Sequence, residues 1–312
     1  VIFQKEVSSI SKKKNSLDLI LNSSPYDCLN SQEKLSLKKR VCPDISLNFF
    51  RSNQIRGQKA LQGNSEASEA KEGNNIISAK KMLEHISRKN EVFFRRNNCF
   101  FEGSSLNKQA FFNSSLIYLI AATDGNEDSI GHSQLVARYT VMLTRALGIE
   151  DLDFLLNIER GALLHDIGKI GIPERILRKP GALTLTEKEI IKEHPLLGYE
   201  VIEEFDFLQK PARVVLFHHE KYDGTGYVYG LTRDEIPLEA RIFSVADTLD
   251  AITSDRAYQK GQSFMVGLRE IEEGRGSQFD PQVVDAFFSI PEERWEGVRA
   301  DIESSFWVNT IH

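Results

Sequence analysis

Apolar positions along residues 131–289 recur at helical spacing and nowhere settle into the alternation of a strand. Over residues 131–147 (GHSQLVARYTVMLTRAL), Leu135, Val136, Tyr139, Met142, Leu143 and Leu147 share a face, and Gly148 stops the run. Residues 151–165 predict a second helix that delivers His165-Asp166 at its end, after which Gly168 and Gly171-Ile172-Pro173 break the pattern. Thr186 with Glu189 reads as a capping box opening a third helix that carries His194 near its middle. Pro211 begins a fourth, ending at His218-His219. Pro237 begins a fifth, IPLEARIFSVADTLDAI, on which Asp247 and Asp250 are three apart and share a face. Two closing helices are predicted over 262–273 and 281–289. The expectation is an all-α bundle of about seven helices, and bundle cores are a recurrent place for metal sites.

The polar interruptions of this pattern carry the chemistry. Five of the seven histidines fall within 88 residues, as Gly-His132-Ser, His165-Asp166-Ile-Gly-Lys169, Glu193-His194-Pro and His218-His219-Glu220, with Asp247 following in Val-Ala-Asp-Thr-Leu-Asp250. Any one of these histidines alone reads as an ordinary core or surface residue. Together, beside a lysine and a glycine-rich loop, they read as a polynuclear metal site for phosphate chemistry. Neighbours on a helix point about 100° apart, so His165-Asp166 and His218-His219 can each face one site only from helix ends or between two ions. Asp166 is then the natural bridge, because a carboxylate has two oxygens and can hold cations ~3.5–4 Å apart. His194, His219 and Asp247 can complete the shells from separate helices.

Lys169 is either a solvated lysine just past a helix end or a phosphate contact, and its spacing from Asp166 across Gly168 favours the second. The loop Asp223-Gly224-Thr225-Gly226-Tyr227 is weak evidence for phosphate by itself and gains weight from its place after His218-His219. Asp250 is equally readable as orienting a ligand or substrate group and as an exposed helical acid or cap. Asp255 reads as a helix-end or turn residue.

The strings HDIGKIGIPERIL, EHPLLGYEVI, HHEKYDGTGY, IPLEARIFSVADTLDAITSDRAY and GSQFDPQVVDAF, in this order over about residues 112–290, resemble the HD-GYP family. That family is a branch of the HD-superfamily phosphohydrolases that hydrolyses cyclic di-GMP in bacterial signalling. The resemblance implies a di-iron or di-manganese centre held by His165, Asp166, His194, His218, His219 and Asp247, with His132 also a ligand. A third ion, held in some members by a carboxylate four residues before the first histidine, would fall here to Asp128. That residue is shorter than the usual glutamate and equally readable as an exposed acid. By the same resemblance Lys169 meets the substrate phosphate, Arg256 faces the ligand, and Tyr227 is the motif tyrosine, on a guanine or filling the loop; Asp166 and Lys169 are the expected catalytic residues, and Asp250 is counted with the substrate-binding candidates.

Two departures stand out. Val228 replaces the motif proline, whose fixed φ stiffens the loop, and this puts in doubt contact with diguanylate cyclase (GGDEF) domains. Gln259 stands where some members carry a basic residue. The implied activity is metal-dependent hydrolysis of cyclic di-GMP to pGpG, with the choice between pGpG and GMP as final product left open. The alternatives are an HD phosphohydrolase of another cyclic dinucleotide or nucleotide, and a catalytically weak cyclic di-GMP receptor or scaffold.

Composition divides the chain. Residues 1–110 hold 19 Lys and Arg against 11 Asp and Glu, a net +8, and residues 111–312 hold 20 against 34, a net −14, matching the overall −6. The first segment is rich in Ser, Asn and Lys, with a flexible stretch at 63–75 and short helices predicted at 33–39 and 77–88. It is expected to be a divergent or partly disordered regulatory region, 111–312 being the HD-GYP phosphohydrolase domain. Its basic charge lacks the aromatic interleaving of a nucleic-acid-binding arm. No apolar run approaches a membrane span, the longest being Leu116–Ala122. Three cysteines without zinc-motif spacing, and no signal-peptide pattern, give a cytoplasmic expectation. The chain starts at Val1 without a methionine, as a processed chain or fragment does. A homodimer through terminal helices is the expected assembly.

Overall fold

A computed structural model describes residues 75–84, 116, 127–255 and 260–307, excluding the side chains of 127–130 and 303–307. The expected helix at 33–39 lies outside the described residues. The helix expected over 77–88 is seen as α1, residues 75–84, whose Ala79, Met82 and Leu83 are buried in the same core as the rest. Then follow α2 (Glu127–Ala146), α3 (Leu152–Leu164), a 3-10 turn (Ile167–Gly171), α4 (Glu174–Leu177), α5 (Leu185–Ile191), α6 (His194–Ile202) and α7 (Ala212–Phe217). Beyond the glycine-rich loop come α8 (Leu238–Thr253), α9 (Phe264–Glu273), α10 (Pro281–Phe288) and α11 (Glu292–Trp307). Among the described residues there are two isolated bridges and no strand, so the fold is all-α.

The apolar stripe read from α2 faces inward: Leu135, Val136, Tyr139 and Leu143 are buried, with Met142 and Leu147 packed at the margin. α8 is the central helix, packed against α2, α3, α7, α9 and α10. It buries Ile242, Phe243, Val245, Ala246 and Leu249 on one side, leaving Asp247 at the margin where the histidines gather.

Two boundaries differ from the pattern reading. The capping box is Thr184 with Glu187, each accepting the other's backbone N–H, and not Thr186 with Glu189. The spacing Thr-x-x-Glu occurs twice in Leu-Thr-Leu-Thr-Glu-Lys-Glu, and the earlier copy wins. The expected third helix is also divided, α5 ending at Ile191 and α6 starting at His194. Pro195 explains the division, since it has no N–H to continue a helix but suits a first turn. His194 therefore sits at a helix start and not in a helix middle.

α11 was not foreseen. Its segment, EERWEGVRADIESSFW, mixes charge with few apolar residues, and one of them, Trp295, docks it. Trp295 is 1% exposed, lies edge-on to Tyr139 at 5.0 Å and against Phe287 at 4.9 Å, and its carbonyl accepts the Tyr139 hydroxyl.

Candidate metal centre

Three helix ends aim three imidazoles by one device. The last carbonyls of a helix lack amide partners four residues on. His165 turns its Nδ1 back to the Ala162 carbonyl (2.8 Å), His194 to that of Ile191 (2.7 Å) and His218 to that of Val215 (2.8 Å). A carbonyl can only accept, so each Nδ1 carries the proton and each Nε2 presents a lone pair. His132 is aimed differently, its Nδ1 lying 2.5 Å from Asp250 Oδ2.

These aims converge on two groups. Nitrogen ligand atoms of His194, His218 and His219 lie within 4.8 Å of one another, and so do ligand atoms of His132, His165 and Asp247. Asp166 stands between them, Oδ2 3.2 Å from His165 Nε2 and Oδ1 3.4 Å from His194 Nε2. One carboxylate thus offers one oxygen to each group. The adjacent pair His218-His219 reaches the site because His218 caps α7 and His219 lies beyond it, with ring centroids 4.1 Å apart.

The donor set fits divalent metal. His194 Nε2 and His218 Nε2 face each other at 3.1 Å, yet both rings spend their protons on carbonyls. Two lone pairs at that separation call for a cation. A proton is a poor candidate: burial, aided by neighbouring imidazoles, lowers the pKa of His194 and pushes that of His218 well down. Burial likewise brings His219 down to about 3. Neutral imidazoles are the form that binds metal. Burial opposes the ionised form of Asp166, but Lys169 and His165 hold its carboxyl well below the usual range. His165 moves the other way, burial being outweighed by Asp166 and Asp247, which raise its pKa.

Lys169 leaves the 3-10 turn with Nζ 2.6 Å from Asp166 Oδ2, at the edge of the same site. The turn can lie this close because position 168 is glycine: a Cβ there would stand 1.9 Å from the His194 carbonyl oxygen. Tyr227 stacks on His219, centroids 4.7 Å apart and planes at 21°, with Lys192 Nζ 5.7 Å from its ring centre. Burial and the charges of Asp166 and Asp247 raise the Tyr227 pKa, keeping the phenol neutral.

Glu220, which the sequence pattern does not single out, holds the loop. It is 4% exposed, and its carboxylate accepts the N–H groups of Val228 (2.9 Å), Tyr229 (2.7 Å) and Leu231 (3.1 Å). A proline at 228 has no N–H to give, so the valine supplies a bond that the motif residue cannot. The available signal was a carboxylate shortly before a glycine-rich stretch with many free amides.

Asp250 is fully buried (0% exposed), its carboxylate accepting from His132, the Ser254 hydroxyl (2.6 Å) and Arg299 (3.4 Å). With both oxygens so occupied, the geometry favours orienting His132 over meeting substrate. Asp255 is exposed and accepts the Gly261 N–H, as a turn residue does. Arg256 and Gln259 lie outside the described residues, as does the side chain of Asp128, whose backbone belongs to α2.

A helical bundle with paired histidine–aspartate groups at its centre defines the HD class. Residues 117–283, more than half the chain, match the HD domain family, and the chain belongs to it. Its motif strings resemble those of the HD-GYP branch of that family. It is 40% identical over 164 residues to a cyclic di-GMP phosphodiesterase of Thermotoga maritima, covering 52% of this chain and 44% of that protein. It is 44% identical over 147 residues to the cyclic di-GMP phosphodiesterase response regulator RpfG of Xanthomonas campestris pv. campestris, covering 46% and 39%. The 3'3'-cGAMP-specific phosphodiesterase 3 of Vibrio cholerae is 39% identical over 152 residues, covering 49% and 33%. The chain spans less than half the length of these relatives. Among the described residues no helix is long and apolar enough to cross a membrane.

Proposed function

We propose that this chain is a metal-dependent phosphodiesterase that opens cyclic di-GMP to pGpG and continues to GMP. The observation that carries this reading is Asp166, whose two oxygens are divided between two groups of imidazole and carboxylate donors. His194, His218 and His219 would hold one divalent ion, His132, His165 and Asp247 the other, with Asp166 shared. Iron or manganese suits such mixed nitrogen and oxygen donors. Bound there, two cations would supply a nucleophile at neutral pH and would draw charge from the phosphoryl oxygens.

The chain's own side chains do the rest. Lys169 swings from Asp166 to the phosphate as a compact positive charge, and Arg256 meets the second phosphate with its planar fork. Tyr227, backed by His219, offers an aromatic face to a guanine. Glu220 holds the loop that carries Tyr227, so the missing motif proline does not by itself argue for a receptor. Asp250 orients His132, and a third ion would fall to Asp128. Residues 111–312 form the catalytic unit, with α1 packed onto it from the preceding regulatory region. A dimer and recruitment of GGDEF domains remain extensions of this reading.

The Vibrio cholerae relative favours a second substrate, a hybrid cyclic dinucleotide. The test is chromatography of cyclic di-GMP and 3'3'-cGAMP incubated with anaerobically purified chain, with and without Fe(II) or Mn(II). Metal-dependent pGpG and GMP support the proposal; turnover of 3'3'-cGAMP alone moves the substrate, and tight binding without turnover makes the protein a receptor.

A further inference from the structure

We infer that Arg299, on the C-terminal helix α11, is a positioning residue for His132 and through it for one half of the metal site. This rests on the metal reading above. His165, His194 and His218 lean on main-chain carbonyls that the helix ends provide locally. His132 leans on a side chain, Asp250, and a helical carboxylate has several staggered orientations to choose from.

Arg299 removes that choice. Its Nη2 donates to Thr253 Oγ1 (2.6 Å) and lies 3.4 Å from Asp250 Oδ1, while Nη1 donates to Ser254 Oγ (2.9 Å). Ser254 in turn donates to the same Asp250 oxygen. The other oxygen is thereby turned to His132 Nδ1, and His132 Nε2 is left facing the site, 3.4 Å from Asp247 Oδ1. The planar fork matters, because one ammonium cannot hold three acceptors on the end of α8 in fixed directions.

Arg299 lies beyond the segment that matches the HD domain family, which ends at residue 283. It is brought to the site by Trp295, one turn earlier on α11 and packed against Tyr139 and Phe287. The docking of α11 thus reaches the His132–His165–Asp247 group and not the His194–His218–His219 group.

The test uses the whole chain. Manganese(II) is titrated by calorimetry and followed by electron paramagnetic resonance, with a thermal melt for each protein. In Arg299→Ala one equivalent should weaken by about 10–100-fold, as for other groups that orient ligands. The other should stay within a few-fold, and the coupled two-ion spectrum should give way to that of isolated ions at limiting metal. Arg299→Lys keeps the charge and the aliphatic stem, so it folds even where the alanine variant does not, and its affinity should fall between the two. Two equivalents bound as in the wild type, or both weakened equally, overturns the inference. A wild-type chain that binds fewer than two ions overturns the metal reading instead.

Discussion

The two donor groups differ in how they are held. In the His194–His218–His219 group the aim of two rings is set within three residues of chain, by carbonyls that helix ends leave unsatisfied. In the His132–His165–Asp247 group one ring has that local support, while His132 depends on Asp250 and Ser254 at the end of α8 and on Arg299 in the middle of α11. The first group forms wherever its helices stop correctly; the second forms only when α2, α8 and α11 are packed together. Asp166 joins the two, so a mutation there strikes both at once.

The largest expected effect follows. Asp166→Ala should lower metal content below one ion per chain and reduce hydrolysis by more than about 100-fold, beyond the range for ligand-orienting partners. Elemental analysis beside the rate checks it, and full activity in that variant would sink the dinuclear account. Asp250→Asn tests the asymmetry: affinity for one ion should fall about 10–100-fold with the other retained. If both ions weaken alike, the two groups are not independently held.

Acid should separate the groups as well. For His194, His218 and His219 the folded pKa is depressed below the unfolded value of about 6.5. The folded state then binds fewer protons than the unfolded one, so the stability they contribute is present above about pH 6.5 and lost as pH falls below it, toward about 3 for His219. His165 has a raised folded pKa, so its contribution has the opposite sign, present below about 6.5 and lost as pH rises through its folded value. Three depressed groups against one raised group predict a net fall. The melting temperature of metal-free protein should drop between pH 7 and pH 5; an unchanged or rising value contradicts the assignment of neutral rings.

Smaller effects belong to the loop. Tyr227→Ala should raise KM by about 10-fold, in line with the ~1–3 kcal/mol of base stacking, while kcat changes less. A pure kcat loss would refute base binding. Val228→Pro removes one of three bonds to Glu220, worth about 1 kcal/mol, and gains about as much from the stiffer chain. Activity should therefore stay within a few-fold of the wild type.

What was legible in the sequence follows the same divide. The stripe of α2, the ends of α3 and α7, and the gathering of His165, Asp166, His194, His218 and His219 were readable because apolar period, glycine and proline act locally. The start of α5 was misplaced because two capping boxes overlap, and its division from α6 was missed although Pro195 announced it. Glu220 left a faint signal and Arg299 none. A partner 49 residues from Asp250 on a charge-mixed helix is fixed by the packing of Trp295, which no spacing rule encodes.

The most direct measurement of the central claim is the rate of cyclic di-GMP hydrolysis by the whole chain as Mn(II) or Fe(II) is added from zero to three equivalents under anaerobic conditions. If Asp166 joins two ions into one site, turnover should stay near background through the first equivalent and rise with the second. Full activity at one equivalent, or none when two ions are bound, would contradict it.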